Sequence, residues 1–204
     1  MGTTLRSELI DLVEGNLQDP TNTFFDATVI GVVLDRCLRE MAEHIPYEVK
    51  ETVTTTDGSR DIDISAITDL KCIVDIEYRT GEWPREQRIP YKIFADILTL
   101  DVDFEPGDAE NVYLYCHKFH SANESSNTLP DKEAEDLAVM LTAGRVIYEY
   151  ANKLVNASNV FGIDAPKIFM ARANAMVAGA KGLLIKREPI TFYREHSQEE
   201  LSTA

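Results

Sequence analysis

The residues of this 204-residue chain that could do chemistry are four histidines, three cysteines and a dense set of carboxylates. Asp61, Asp63, Asp101, Asp103, Glu105 and Asp108 crowd its middle. Two carboxylates work as general acid and base when their surroundings drive their proton affinities apart. Here any pair would serve, so none stands out, and the group reads as a solvated strand edge whose charges discourage aggregation. Asp101-Val102-Asp103-Phe104-Glu105 is like the start of a calcium loop, with the glycine and final glutamate out of register. Cys116 and His120 lie four apart on an extended segment and share a face, with His117 pointing the other way. A metal there would need ligands from elsewhere. Gly179-Ala180-Lys181-Gly182 lies within a helical pattern and lacks the spacing of a phosphate loop. The patterns Gly-x-Ser-x-Gly, His-Glu-x-x-His and Cys-x-x-Cys do not occur. No catalytic residue, cofactor or metal site is expected.

Composition narrows the class further. Hydrophobic residues make up 44% of the chain, enough for a substantial core. No unbroken apolar run of about 18 residues occurs, so no membrane span is expected. The opening MGTTLRSELIDL lacks a basic stretch followed by a hydrophobic one, so no signal peptide is expected. Cys37, Cys72 and Cys116 sit in separate apolar segments and read as reduced, buried thiols.

The net charge is −15, the wrong sign for a simple clamp on nucleic acid. It is also uneven. Lys167, Arg172, Lys181, Lys186, Arg187 and Arg194 face one acid, Glu188, between residues 165 and 194, whereas residues 1–164 carry 14 basic and 31 acidic groups. An acidic body thus carries a basic C-terminal arm, suited to layered assembly or to a solvated basic helix face.

Periodicity supplies the elements. Residues 4–17 read as a short helix capped by Thr3 or Thr4. Asp26 caps a second helix, stapled by Phe25 and Ile30 and ended by Pro46. The period then shifts from 3.6 to 2. Strands are expected around Val49–Thr55 and Asp61–Ile64 across an Asp57-Gly58 hairpin turn, and over Lys71–Arg79, Arg88–Phe94, Asp96–Val102 and Asn111–Phe119. Trp83 and Arg85 fall in an intervening loop, as an exposed contact at its tip or as a plug on one end of the β block.

Pro130 to Val155 is the longest helical pattern, capped by Asp131, with Glu133 and Glu135 at its positive end. Its broad apolar face has Gly144 and Ala151 at the middle, where a second helix can come close. The obvious partner is the small-residue helix from Ala165 to about Arg187. A narrower stripe, Val139, Val146 and Tyr150, faces either the first helix pair or a neighbouring subunit. The tail from Glu188 opens with Pro189 and an apolar patch, Ile190, Phe192 and Tyr193, and then turns polar. The fold class expected is α+β: a four-helix bundle (1–46 and 128–187) with an antiparallel block of about six strands inserted at 47–127, and a C-terminal arm at 188–204.

This order of signals resembles a known family. Asp19-Pro20-Thr21-Asn22-Thr23-Phe24-Phe25-Asp26 leads to an amphipathic helix ending at Ile45-Pro46-Tyr47. Extended segments follow, with Pro106-Gly107-Asp108 and Val112-Tyr113-Leu114-Tyr115. Thr128-Leu129-Pro130 then opens a Gly/Ala-containing helix, and a last helix carries a polar tail. The chain is similar over most of its length to the head–tail adaptor (connector or neck, tail-tubular-type) proteins of tailed bacteriophages. The resemblance implies a structural, non-enzymatic homo-oligomeric ring, usually twelve-fold, in the virion neck, made in the host cytoplasm. It would dock on the portal protein, receive the tail or the next neck protein, and let DNA pass during ejection through an acidic channel. A portal-binding arm would then comprise Lys186, Arg187, Ile190, Phe192, Tyr193 and Arg194. Val139, Gly144, Val146, Tyr150 and Ala151 would serve subunit packing, and Trp83 and Arg85 a distal, tail-facing loop. The alternatives are another neck, tail-completion or head-closure protein, a small enzyme using the acids of 101–108, and a module whose basic last helix contacts nucleic acid.

Overall fold

The computed structural model describes residues 4–81, 89–156 and 165–187. The described residues are α+β, with four helices and two three-stranded antiparallel sheets among them. The chain divides into two compact units, Met1–Ile45 with Ser121–Ala204, and Pro46–His120.

The first unit holds α1 (Arg6–Leu17), α2 (Ala27–Met41), α3 (Lys132–Asn156) and α4 (Ala165–Lys186). Helix α1 starts from Leu5, not from Thr3 or Thr4. The Leu5 N–H donates to Glu8 Oε2 at 2.8 Å, while the Thr4 hydroxyl is spent on Glu135 Oε2 at 2.7 Å. Helices α2 and α3 start as expected. Asp26 Oδ1 accepts from the Thr28 N–H at 2.7 Å, and Asp131 Oδ1 from the Ala134 N–H at 2.8 Å.

Helix α3 touches the other three helices. Leu9 and Val13 of α1, Ile30, Leu34 and Leu38 of α2, and Leu141 of α3 are fully buried in one core. Each such side chain gains about 1.5–3 kcal/mol from leaving water. The broad face of α3 meets α4 at Gly144, where an added Cβ would lie 3.1 Å from Met176 Cβ and 3.3 Å from the Ala173 carbonyl oxygen. The narrower stripe is also taken up inside the chain. Val139 and Val146 are buried in the same core. The Tyr150 ring meets Phe25, just before α2, edge-on at 5.1 Å, and Phe169 of α4 at 5.7 Å. Val139, Gly144, Val146 and Ala151 therefore present no exposed side chain to a neighbouring subunit.

Residues 121–127, expected within the β insertion, group with the helices. The Asn127 side-chain amide donates to the Thr4 carbonyl at 2.9 Å and to Glu135 Oε1 at 2.7 Å, and the Arg6 N–H donates to the Asn123 carbonyl at 2.9 Å.

The second unit holds β1 (Tyr47–Thr54), β2 (Asp61–Asp63), β3 (Leu70–Tyr78), β4 (Tyr91–Phe94), β5 (Ile97–Leu100) and β6 (Asn111–Lys118), in sheets ordered β1-β6-β3 and β2-β5-β4. The strands beside Asp57-Gly58 do not form the expected hairpin. The turn is present, with Gly58 at φ +67° and the Ser59 N–H bonded to the Thr56 carbonyl. It hands the chain from one sheet to the other, because β1 finds an eight-residue partner in β6 and β2 pairs with β5. On β6, Val112, Leu114 and Cys116 are buried and share a core with Ile62, Leu98 and Leu100 of the second sheet. Tyr113 and Tyr115 alternate to the other side, as the period of two requires.

Among the thiols, Cys37 and Cys116 are buried and Cys72 is exposed, which corrects the expectation for Cys72. Burial pushes each of the two inner thiols up to about 11. Helix α4 also departs from expectation. Pro166–Lys186 contains an 18-residue window of mean hydropathy 1.3 and so meets the length and composition of a membrane span. Its isoleucines, leucines, methionines, Phe169 and Val177, with the alanines, raise the mean although Arg172, Asn174 and Lys181 interrupt the apolar run.

Candidate interaction surface

Arg172 and Lys181 of α4, and Arg187 just past its end, tie the helix to the rest of the helical unit. Lys181 Nζ donates to Glu40 Oε1 at 2.6 Å, and Arg145 of α3 donates to Glu40 Oε2, so one carboxylate joins α2, α3 and α4. Burial raises the Glu40 pKa, but the bond from Lys181 and the nearby Arg145 outweigh it and hold the carboxyl below its ordinary value. Arg172 Nη2 donates to the Asn16 carbonyl at 2.9 Å, a cation at the negative end of α1. Arg187 Nη2 donates to Asp131 Oδ2 at 2.7 Å and to Glu133 Oε2 at 3.2 Å, tying the end of α4 to the start of α3. Burial likewise raises Asp131, and Arg187 with the Ala134 N–H brings it below the usual range.

The opposite side of α4 is mainly apolar, with Lys167, Asn174 and Lys186 exposed at its edges. Toward α3 the helix buries Ala173, Ala180 and Leu184. Ile168, Ala171, Ala175, Ala178, Gly182 and Ile185 are all exposed, Ile168 and Ile185 at 68% each. At about 100° per residue the two sets lie on opposite sides of the helix. A Cβ on Gly182 would meet no atom within 4 Å, so the outward face is open there. A continuous apolar stripe of this length on a helix in water is the kind of patch that interaction sites carry.

The β unit has a smaller apolar feature. β4 and β5 form a hairpin with Phe94 opposite Ile97, leaving Ala95-Asp96 as the loop. Phe94 is 88% exposed, flanked by Ile93 at 44% and Ile97 at 40%. Ala95 sits at φ 53°, a left-handed conformation that glycine adopts without cost.

Of the residues assigned to a portal-binding arm, the exposed Lys186 closes α4 and Arg187 is held by Asp131 and Glu133. Ile190, Phe192, Tyr193 and Arg194 lie outside the described residues, as do Trp83 and Arg85. Among the described residues no group of three or more His, Cys, Asp or Glu is placed to hold a metal ion. Cys116 and His120 are both buried, and His120 lies past the end of β6, its ring 6.4 Å from that of Tyr47.

Two organising carboxylates escaped the sequence reading. Asp19 accepts from the N–H groups of Thr23, Phe24 and Phe25 at 2.9, 2.7 and 2.9 Å, and these bonds overcome the effect of burial and lower its pKa. Glu135 is buried and accepts from Thr4, Asn127 and Lys132; burial raises its pKa and these donors lower it further than burial lifts it. The signal for Asp19 was an aspartate heading a turn rich in Thr and Asn. Glu135 offered none beyond its place in a first helical turn.

Compared with known proteins, the chain matches no protein-family model and no curated protein sequence at a significant level.

Proposed function

We propose that this chain is a structural head–tail adaptor of a tailed-phage virion: a subunit of a homo-oligomeric ring that docks on the portal protein and connects it to the tail or a downstream neck protein. In this reading the helical unit is a four-helix bundle, the residues 46–120 are its inserted six-strand block, and DNA passes transiently through an acidic lumen. The observation that carries the proposal is the exposed apolar side of α4, a surface for assembly, on a helix that leads straight into the proposed arm. The acidic body supports it, since carboxylates around a lumen repel phosphates and let a duplex slide. The inward pairing of Lys181 with Glu40 and of Arg187 with Asp131 keeps those cations from presenting a bare basic face to DNA. The five α3 positions then act by holding each subunit together, with subunit contacts falling to α4 and the arm. Phe94 and its neighbours join Trp83 and Arg85 as the candidate tail-facing contacts.

The test is the mass of the purified chain with and without a portal ring, repeated with a chain ending at Arg187. A large ring or a stoichiometric portal complex, lost on truncation, is expected. A chain that neither assembles nor binds a portal would overturn the proposal, and portal binding unchanged by truncation would remove the arm's role.

A further inference from the structure

We infer that the open edge of β1 is a self-association surface, on which β1 of a second copy pairs antiparallel about a two-fold axis at Val49. The inference goes beyond the adaptor reading and stands apart from it. Among the described residues the β unit has four edge strands, β1, β3, β2 and β4. Three of them are blunted. β2 and β4 are only three and four residues long. β3 slips register against β6 twice, and its Ile73 carbonyl takes the Tyr91 hydroxyl at 2.7 Å. Shortness, bulges and cover are the devices that keep an edge from pairing with another chain. β1 has none of them, since its eight residues match β6 one for one without a shift.

The hydrogen-bond pattern shows what that edge offers. The Thr55 N–H donates to the Glu110 carbonyl, and the Ala109 N–H to the Thr55 carbonyl. With a period of two, Val53, Glu51, Val49 and Tyr47 therefore turn their backbone groups to β6. Glu48, Lys50, Thr52 and Thr54 turn theirs to the open side, and all four residues are exposed.

Charge then selects the occupant and its register. A run of like charge would repel a second copy, but Glu48 and Lys50 are of opposite sign and share one face of the sheet. Glu48 Oε1 lies 3.6 Å from His117 Nε2, and Lys50 Nζ lies 3.9 Å from the centre of the Tyr113 ring, both on that face. In a continuous sheet opposed residues share a face, so a two-fold axis must pass through a residue and not between two. Axes at Val49, Lys50, Glu51 or Thr52 each pair five or more residues of the strand with its copy. An axis at Lys50 or at Glu51 sets that residue against itself, and like charges directly opposite weaken a pair. An axis at Thr52 brings no opposite charges together. At Val49, Glu48 meets Lys50 of the second copy and Lys50 meets its Glu48. Each of these two pairs exchanges two backbone hydrogen bonds. Pro46 has no N–H to give, so the paired stretch ends with Tyr47 opposite Glu51 of the second copy. The contact is isologous and closes on itself, and it extends the sheet β1-β6-β3 across the axis into its copy.

The full chain is to be measured by sedimentation velocity over a concentration series, beside Glu48→Lys and Lys50→Glu, each alone and the two mixed in equal amounts. A concentration-dependent dimer is expected from the parent, a monomer from either variant alone, and a dimer again from the mixture, where every opposed pair regains opposite charge. Thermal melts should not change, because both residues are exposed in the single chain. Amide exchange at Glu48 and Lys50 should slow as the dimer forms, and that at Thr54 should not. Three results would overturn the inference: a parent that stays monomeric at every concentration; variants that pair alone as well as the parent does, since the contact then lies in another register or on another surface; and slow exchange at Glu48 and Lys50 at all concentrations that is lost in a chain ending at Arg187, since the chain's own tail then occupies the edge.

Discussion

Gly144 of α3 lies so close to α4 that a Cβ in its place would stand 2.9 Å from Val177 Cγ2. The atoms around it are a β-branched methyl, the Met176 Cβ at 3.1 Å and the Ala173 carbonyl at 3.3 Å, none of them the far end of a flexible chain. Gly144→Ala gains about 1 kcal/mol of helix propensity. It loses about 1–3 kcal/mol to overpacking, since the two helices must part. A net loss of stability is expected in chemical denaturation. Gly15→Ala is the control: that glycine is helical with nothing within 4 Å of a new Cβ, so a gain of about 0.5–1 kcal/mol is expected.

Glu135 organises the entry to α3, and its removal should be costly. It is buried, and without it the Thr4 hydroxyl and the Asn127 amide lose an acceptor in the interior. Glu135→Ala is expected to cost about 2–3 kcal/mol, the scale of a lost charge-assisted bond plus an unsatisfied donor. Asn127→Ala strands the Leu129 N–H, which donates to Asn127 Oδ1 at 2.9 Å, and should cost less. Urea midpoints of the two variants give the comparison; equal and negligible shifts would mean that the knot contributes nothing.

Acid should weaken the helical unit in a way traceable to named groups. Glu40, Asp131 and Glu135 are all held below their ordinary values, 4.5 for the glutamates and 3.8 for the aspartate. A carboxyl depressed in the folded state stabilises fully above its unfolded value, and the contribution is lost as pH falls through the folded value. Stability should thus be flat above about pH 5 and decline below it. Glu40→Gln, which leaves Lys181 and Arg145 without their shared anion, should lower the melting temperature at neutral pH, and its curve should converge with the parent's in acid. A difference that persists unchanged at low pH would show that the ion cluster is not its source.

What could be read from the residues was what is local. The caps Asp26 and Asp131, the alternation on β6 and the close face of α3 follow from spacings of two, three and four, which the sequence displays directly. Strand pairing was not legible at Asp57-Gly58: the turn was right, but only the competing partners, β6 for β1 and β5 for β2, decide where its strands go. The polar ties were equally hidden. Lys181 and Glu40 are 141 positions apart, and nothing in either neighbourhood marks the other. The apolar stripe of α4 was in plain view as small residues, yet the side facing away from α3 is defined only once Ala173, Ala180 and Leu184 are seen to be buried.

The β4–β5 hairpin allows stability and contact to be separated. Ala95 is left-handed at φ 53°, which costs an L-residue about 1–2 kcal/mol. Ala95→Gly removes that strain and returns part of it as backbone entropy in the unfolded chain, so a net gain of about 0.5–1 kcal/mol is expected. Phe94→Ser, at a side chain 88% exposed, should leave stability within about 0.5 kcal/mol of the parent.

The three thiols should divide by exposure when the folded chain meets a thiol reagent. Cys72 is exposed, and Cys37 and Cys116 are buried with their thiols pushed up to about 11. The thiolate is the reacting species, so a group of that pKa is almost wholly protonated near neutral pH, and burial also denies the reagent access. One fast equivalent of label per chain is expected, absent in Cys72→Ser. The two slow equivalents should appear at rates set by opening of the helical unit for Cys37 and of the β unit for Cys116, since the two residues belong to separate cores. Gly144→Ala should therefore speed the labelling of Cys37 and leave Cys116 unchanged. Acceleration of both to the same degree would mean that the units unfold together.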